Sequence, residues 1–293
     1  IARFWTIFII LLGIKIILGE SVLAKSLEIF FTLFLTVSVF LIAYIQYTAA
    51  GVSFLPSGVN QWVLKGGSGI FNLSKDNTTE NLEIAEDEYS EVSERKVNID
   101  VGAGKLTLVE SNSEEYIQVT QEYPTAYREP TLDESFKEGI LELTYEGASA
   151  KYFNMFTNES RYDIKLGQLE VPTSIDLSLG AGDGDISFEM LPVDDFYSKV
   201  GAGDLDVSFS KYSIPSGDMF LDIGAGKMTL KLPESVGYLI EYDLGVGNIN
   251  VNGRDVAEVS SRGEYTSSNY KSADVKLKLV VSVGVGSFNL RSN

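Results

Sequence analysis

The chain, 293 residues long, contains neither cysteine nor histidine. Without cysteine there are no disulfides, no thiolate zinc sites and no thiol nucleophile. Without histidine the usual general base near neutral pH is gone, and with it the Ser-His pair and most transition-metal sites. Only carboxylate or Lys/Tyr chemistry stays open to an enzyme, so the composition points to a protein that is not one. Positive charge is also scarce: 23 Lys and Arg stand against 41 Asp and Glu, a net charge of −18. Residues 1–50 hold Arg3, Lys15, Lys25, Glu20 and Glu28, a net +1, so the remainder carries −19. A surface this acidic repels phosphate backbones, and nucleic acid is excluded as a partner. The plainest use of the charge is to keep a long β-rich domain in solution.

Two long apolar runs open the chain. Residues 1–18 read IARFWTIFIILLGIKIIL, and residues 29–47 form a run of 19 residues without a charge. At ~1.5 Å per residue the second run spans the ~30 Å hydrocarbon layer of a bilayer. Lys15 lies close enough to the end of the first run for its ammonium to reach the interface. Trp5, Tyr44 and Tyr47 suit the interfacial aromatic belt. No small-residue cleavage site comes after the first run, which argues against a signal peptide; a helix pair in a soluble core is the bland alternative. The short connector makes residues 1–50 a two-helix transmembrane hairpin, with the lipid bilayer as its partner. The localisation expected is the cell membrane, multi-pass. The lack of a basic residue after the second run until Lys65 leans toward an extracytoplasmic main domain, whereas Arg3 ahead of the first run argues the reverse.

The residue in abundance after position 50 is glycine in a fixed phrase, apolar then Gly-x-Gly then alternating apolar residues. The copies are Gly67-Ser-Gly69, Gly102-Ala-Gly104, Gly180-Ala-Gly182, Gly201-Ala-Gly203, Gly224-Ala-Gly226, Gly245-Val-Gly247 and Gly284-Val-Gly286. From Gly180 to Gly245 the steps are 21, 23 and 21 residues, and the last gap is 39, near two such steps. A period of this size marks stacked units that only their neighbours can bury. Period-two alternation flanks each phrase, as in Ile175, Leu177 and Leu179 before Gly180 and Ile186 and Phe188 after it, so the units are strands with one buried face. Glycine pairs suit a strand that turns a corner where neighbouring backbones approach closely. The expected fold is all-β, a β-solenoid of the right-handed β-helix type preceded by the hairpin. Eight to ten rungs at about 4.8 Å make a rod roughly 40–50 Å long, and a β-sandwich with glycine-rich bends is the competing arrangement. Residues 51–65 read as a linker and 66–293 as the β domain, with irregular insertions over 111–170. Within these, Tyr116–Glu122 and Ile140–Tyr145 read as strands, and Pro124–Glu138 and Ala148–Arg161 as loops. Pro192, Pro215 and Pro233 mark turns after the later rungs.

Few residues point to chemistry. Gly104-Lys105 and Gly226-Lys227 lack the spacing of a phosphate loop, since Leu106 and Met228 stand where Ser or Thr is needed. Rung alignment places Asp183, Asp204, Lys227 and Asn248 in one outward column and Asp185, Asp206, Thr229 and Asn250 in the next. Stacked aspartates repel unless screened, hydrated or metal-bound. The quartet Asp183, Asp185, Asp204 and Asp206 is thus a candidate calcium face, a glycosidase-type dyad if an aromatic groove surrounds it, or a solvated face partly neutralised by Lys227. No residue is assigned a catalytic, cofactor-binding or metal-ligating role, and no cofactor is expected. The sequons at Asn72, Asn77 and Asn158 mean little outside a eukaryotic secretory context.

The order of parts resembles a known bacterial and archaeal family. A Trp-containing apolar hairpin (Trp5 to Gly13) precedes repeats of the form apolar-Gly-Ala-Gly-Asp, as in the LiaF-like, cell-wall-active antibiotic response proteins with their toast-rack domain. The repeats are also similar to β-helix domains provisionally classed as adhesins. The hairpin covers about residues 1–47, and the rungs cover 97–109 and 172–293 best. The resemblance implies a non-catalytic, membrane-anchored envelope-stress regulator or sensor that uses its β domain as an interaction surface. Its partner would be another membrane protein such as a sensor kinase. An adhesin or envelope scaffold that self-associates through its rungs is the alternative. Two visible spans with few flanking basic residues depart from the family pattern.

Overall fold

The structure, a computed structural model, describes residues 77–85, 91–125, 127–150 and 159–293. The residues expected to form the transmembrane hairpin and the linker, and the Gly67-Ser-Gly69 copy, lie outside the described residues. All regular structure among the described residues is β. The strands are β1 (Asn77–Ala85), β2 (Glu94–Ser111), β3 (Glu115–Pro124), β4 (Tyr127–Arg128), β5 (Thr131–Lys137), β6 (Ile140–Glu146), β7 (Ser149–Ala150) and β8 (Ser160–Gly167). They continue with β9 (Thr173–Phe188), β10 (Val193–Phe209), β11 (Met219–Leu232), β12 (Val236–Val251), β13 (Arg254–Glu258), β14 (Ser261–Thr266) and β15 (Val275–Ser292).

Each long strand is one rung, bent at its glycine pair. Before the corner of β9, Ile175, Leu177 and Leu179 point inward; after it, Ile186 and Phe188 do. The inward set thus changes from odd to even positions, which a straight strand forbids because alternate residues face opposite sides. The corner makes the change. Gly182 adopts φ +128°, a conformation costly for residues with a Cβ. A Cβ there would also overlap the Gly104 carbonyl oxygen of the next rung. Every later rung repeats the switch, so both arms bury their apolar sets in one shared core. Phe209 closes part of it, with ring centroids 5.9 Å from Phe188 and 5.4 Å, edge-on, from Phe196.

The rungs pair in parallel and in register. Ala103 lies beside Ala181, Ala181 beside Ala202, Ala202 beside Ala225, Ala225 beside Val285, and Val285 beside Val246. The glycine pairs are therefore aligned across six rungs, and a sandwich of antiparallel hairpins is not what forms. The spatial order is β2-β9-β10-β11-β15-β12. Here the structure corrects the expected simple succession. The 39 residues from Gly245 to Gly284 do not hold a further rung. They hold β13 and β14, which pair antiparallel with the outer edge of β12. That edge being taken, β15 inserts on the other side, between β11 and β12.

A second correction concerns the irregular stretch. β6 pairs in parallel with the first half of β2, and β8 with the second half. Together they make a seventh rung, broken at the corner, where Gly147 and Ala148 replace the glycine pair. The span Pro124–Glu138, expected as a loop, contains β5, which pairs antiparallel with β6. β5 is mostly exposed, so its side chains carry little apolar signal, and backbone hydrogen bonding to β6 defines it. Among the described residues there are seven parallel rungs plus antiparallel caps, against the eight to ten rungs expected of the whole domain. Along the arms beyond the corner, the order β1-β3-β8-β2-β9-β10-β11-β15-β12-β13 is ten strands deep, about 43 Å at ~4.8 Å per step.

The far corners close with side-chain caps. Pro192, Pro215 and Pro233 lie in the connectors after β9, β10 and β11, as their placement predicts. At the first connector the Glu110 carboxylate accepts the backbone N–H groups of Glu189 (3.0 Å), Met190 (2.8 Å) and Leu191 (2.8 Å). Arg95 occupies an inward slot in phase with Val97 and Ile99 and is fully buried. Its Nε donates to Thr173 Oγ1 (3.2 Å), and its Nη1 donates to the carbonyls of Tyr116 (3.0 Å) and Gly167 (2.9 Å). A buried guanidinium is tolerated only with such partners.

Candidate functional surface

A stack of rungs has two outer faces, one built from the arms before the glycine corner and one from the arms after it. Parallel in-register pairing lines outward side chains into columns about 4.8 Å apart.

On the face after the corner, the first column runs Lys105, Asp183, Asp204, Lys227, Ser287, Asn248. The second runs Thr107, Asp185, Asp206, Thr229, Asn289, Asn250. The expected stacking of Asp183 on Asp204 and of Asp185 on Asp206 is present. Two details differ from the sequence alignment. Ser287 and Asn289 stand between Lys227 and Asn248 and between Thr229 and Asn250, because β15 is inserted. Lys105 flanks Asp183, so the first aspartate pair has a lysine at each end. Lys231 Nζ lies 3.7 Å from Asp206. Among the described residues no group of three or more acidic side chains is placed to hold a metal ion. The neighbours of the quartet are Lys, Thr and Ser rather than the aromatic groove that sugar chemistry requires. At the far end, Asp255 accepts the side-chain amides of Asn250 (2.9 Å) and Asn248 (2.8 Å). These two donors, Asn250 first, hold its carboxyl below the usual carboxylate range.

The face before the corner is built differently. Its middle column runs Thr144, Asn98, Asp176, Tyr197, Phe220, Val280, Glu241, Glu264. It contains no cation. Tyr197 and Phe220 stack face to face, with centroids 4.9 Å apart and planes 5° from parallel. Tyr197 is 37% exposed. Partial burial, and then the charges of Asp195, Asp218 and Asp176, push its phenol above the ordinary tyrosine value. Lys278 Nζ lies 3.0 Å from Glu241, and that hydrogen bond raises its pKa. Arg262 pairs with Asp243. Two shallow grooves flank the aromatic pair. One, of about 210 Å³, is lined by Asn98, Asp100, Thr144, Glu146, Asp176 and Ser178 among others. The other, of about 420 Å³, is lined by Glu241, Asp243, Arg262, Glu264, Val280 and Ser282 among others.

These residues escape an alignment restricted to the arm after each glycine pair. Yet Asn98, Asp176, Tyr197, Phe220, Glu241 and Val280 each stand four positions ahead of the first glycine of their rung, so the same alignment carried backward finds the column.

A third concavity, of about 690 Å³, lies at the β12 end between Tyr238, Tyr265, Asn252 and Ser292. Its polar groups largely satisfy one another: Asn252 Nδ2 donates to Ser292 Oγ (3.3 Å) and Asn269 Nδ2 to the Glu234 carbonyl (3.0 Å).

The fold and these faces define a stacked-rung β protein that presents rows of side chains at a fixed spacing. The profile of the toast-rack N-terminal domain matches residues 72–231, more than half of the chain, and the chain belongs to the toast-rack family. The profile of the C-terminal region of LiaF, the cell wall-active antibiotics response protein, matches residues 181–290. Among solved structures, one from Clostridium sporogenes, provisionally described as a cell adhesion protein, is 23% identical, with a TM-score of 0.56 over 74% of this chain and 100% of that one. One from Bacteroides fragilis, provisionally described as an adhesin, is 12% identical, with a TM-score of 0.26 over 74% of this chain and 98% of that one. The first likeness shows the shared fold. No curated protein matches the chain.

Proposed function

We propose that the chain is a non-catalytic, membrane-anchored regulator of the cell-envelope stress response that uses its rung stack as an interaction surface. The observation that carries this is the family match through both halves of the stack, to the toast-rack and LiaF profiles. The sequence adds two apolar runs, 1–18 and 29–47, of membrane-spanning character; among the described residues no helix is long and apolar enough to cross a membrane. The partner is another membrane protein, such as a sensor kinase, beside whose helices the hairpin sits. Coupling from hairpin to stack runs through residues 48–65, and a flexible segment there would break it.

The test is a transcriptional reporter of envelope stress in cells challenged with a cell-wall-active antibiotic. Deleting the chain shifts the reporter, re-expression restores it, and a long Gly/Ser insertion within 51–65 fails to restore it. An unchanged reporter on deletion overturns the regulatory role. Full restoration by the insertion variant overturns the coupling. Concentration-dependent self-association of the full chain, with no reporter effect, would instead favour an adhesin or scaffold.

A further inference from the structure

We propose that the outer face of the pre-corner arms docks a basic, Lys- or Arg-bearing extended segment of a partner protein. The proposal rests on the stack being an interaction surface, and it names the face and the chemistry of what binds there.

Three observations converge. First, the stacked pair Tyr197–Phe220 lies on an outer face, with Tyr197 37% exposed, Val280 beside Phe220 and Asp176 beside Tyr197. Exposed aromatic faces attract cations, guanidinium above all. Second, carboxylates surround the pair. Asp176, Asp195 and Asp218 all act on the Tyr197 hydroxyl, and Glu241 and Glu264 close the column beyond Val280. Third, the middle column carries no cation of its own, and the cations on the columns beside it already face carboxylates: Lys199 lies across from Asp222, Lys96 pairs with Glu94 and Arg262 with Asp243. The column after the corner places Lys105 and Lys227 around its aspartates, whereas the middle column before the corner has no basic member. Its neighbour Lys278 is held by Glu241.

The geometry sets the ligand. From Asp176 to Glu241 is four strand steps, about 19 Å at ~4.8 Å each, which about six residues of extended chain cover. Carboxylates at the ends and rings between them suit a segment with cations at its ends and a cation or aliphatic stem over the rings. An anionic lipid surface is repelled by this face. No converging acidic group for a bare metal ion exists among the described residues.

The test is fluorescence anisotropy of a labelled alternating Arg-Ser decapeptide, with a Glu-Ser decapeptide as control, titrated with the full chain in neutral detergent. Three variants are compared. Asp176→Lys with Glu264→Lys reverses both ends of the column. Tyr197→Ser with Phe220→Ser removes the rings at constant charge. Asp163→Lys with Asp185→Lys makes the same charge change on the other face. Melting curves matching the parent establish that each pair folds, and single substitutions replace any pair that does not. The expected result is binding of the Arg peptide only. That binding is weakened tenfold or more by the column reversal, severalfold by ring removal, and less than twofold by the control. Equal losses from the column and control pairs would reduce the effect to net charge and overturn the proposal. So would absence of binding, or indifference to ring removal. Self-association that ring removal abolishes would assign the face to a second copy and also overturn it. Failure here leaves the regulatory role standing, since the reporter tests that separately.

Discussion

Rungs β2, β9, β10, β11, β15 and β12 turn their corner on Gly-x-Gly, whereas the rung made by β6 and β8 breaks at the same place. The broken rung shows that glycine is required by stacking more than by bending. Within the stack, a Cβ on Gly182, Gly203 or Gly226 would overlap the carbonyl oxygen of the equivalent glycine one rung away. Among the described residues no Gly-x-Gly rung lies beyond the broken one, whose β8 pairs instead with the antiparallel β3. There the chain leaves after Gly147, returns at Ser160, and Tyr162 fills the corner, its hydroxyl donating to the Ala103 carbonyl (3.3 Å). At the opposite end β12 keeps its glycines but exposes their carbonyls, and the turn before β14 covers them. Val259 N–H donates to the Gly247 carbonyl (3.0 Å) and Ser260 N–H to that of Gly245 (2.6 Å). Both donors adopt positive φ to do so.

The largest expected effect is at a corner with rungs on both sides. Gly203→Val forces φ +132° on a β-branched residue and drives its Cβ into the Gly182 carbonyl, which cannot move without its rung. The loss should exceed about 4 kcal/mol, read as failure to accumulate folded protein or as collapse of the urea midpoint. A near-neutral midpoint would break the comparison. Next comes Glu110→Ala, which strips three N–H groups of their shared acceptor at the far corner. A loss of about 2 kcal/mol is expected, since water enters the open site and replaces part of the bonding. Glu110→Gln should recover some of it.

Gly147→Ala in the broken rung should be milder. Its φ is not in the left-handed region, and its Cβ would meet the ring of Tyr162 at 2.9 Å rather than a neighbouring backbone. We expect about 1 kcal/mol; a loss as large as that of Gly203→Val would show that the corner position, not the stacking, demands glycine. The smallest effect is at the β13 cap. The Asp255 carboxyl is held low by Asn250 and Asn248. Its contribution is therefore present above the unfolded carboxylate pKa and lost as pH falls through the lower folded value. Asp255→Asn should lower the melting temperature slightly at neutral pH and leave it matching the parent below the folded carboxyl's pKa, so that the acid limb flattens. A change confined to alkaline pH would contradict this assignment.

Much of the rung architecture is legible in local spacing. Alternation at i and i+2 identifies inward residues on both arms, and the change of parity across each glycine pair marks the corner. Even Arg95 is visible as a basic residue in an inward slot. The stacked aspartates emerge once the corners are aligned. The illegible parts have long-range causes. β8 carries no glycine phrase, so nothing local announces that it completes a rung begun at β6. β5 shows only Leu132 and Phe136 as apolar positions, and its pairing with β6 defines it. The Tyr197–Phe220 stack is open to alignment, but the carboxylates and the Val280 that border it depend on which strands flank β10 and β11.

By itself the sequence determined the bend, the alternation and the acidic charge, because steric exclusion at a corner and burial on one side of a strand act over a few residues. The order of the rungs, the insertion of β15 beside β11 and the contrast between the two outer faces were decided only in the folded stack. Any in-register apolar strand can pair with any free edge, and which edge is free depends on where the caps have already closed the ladder.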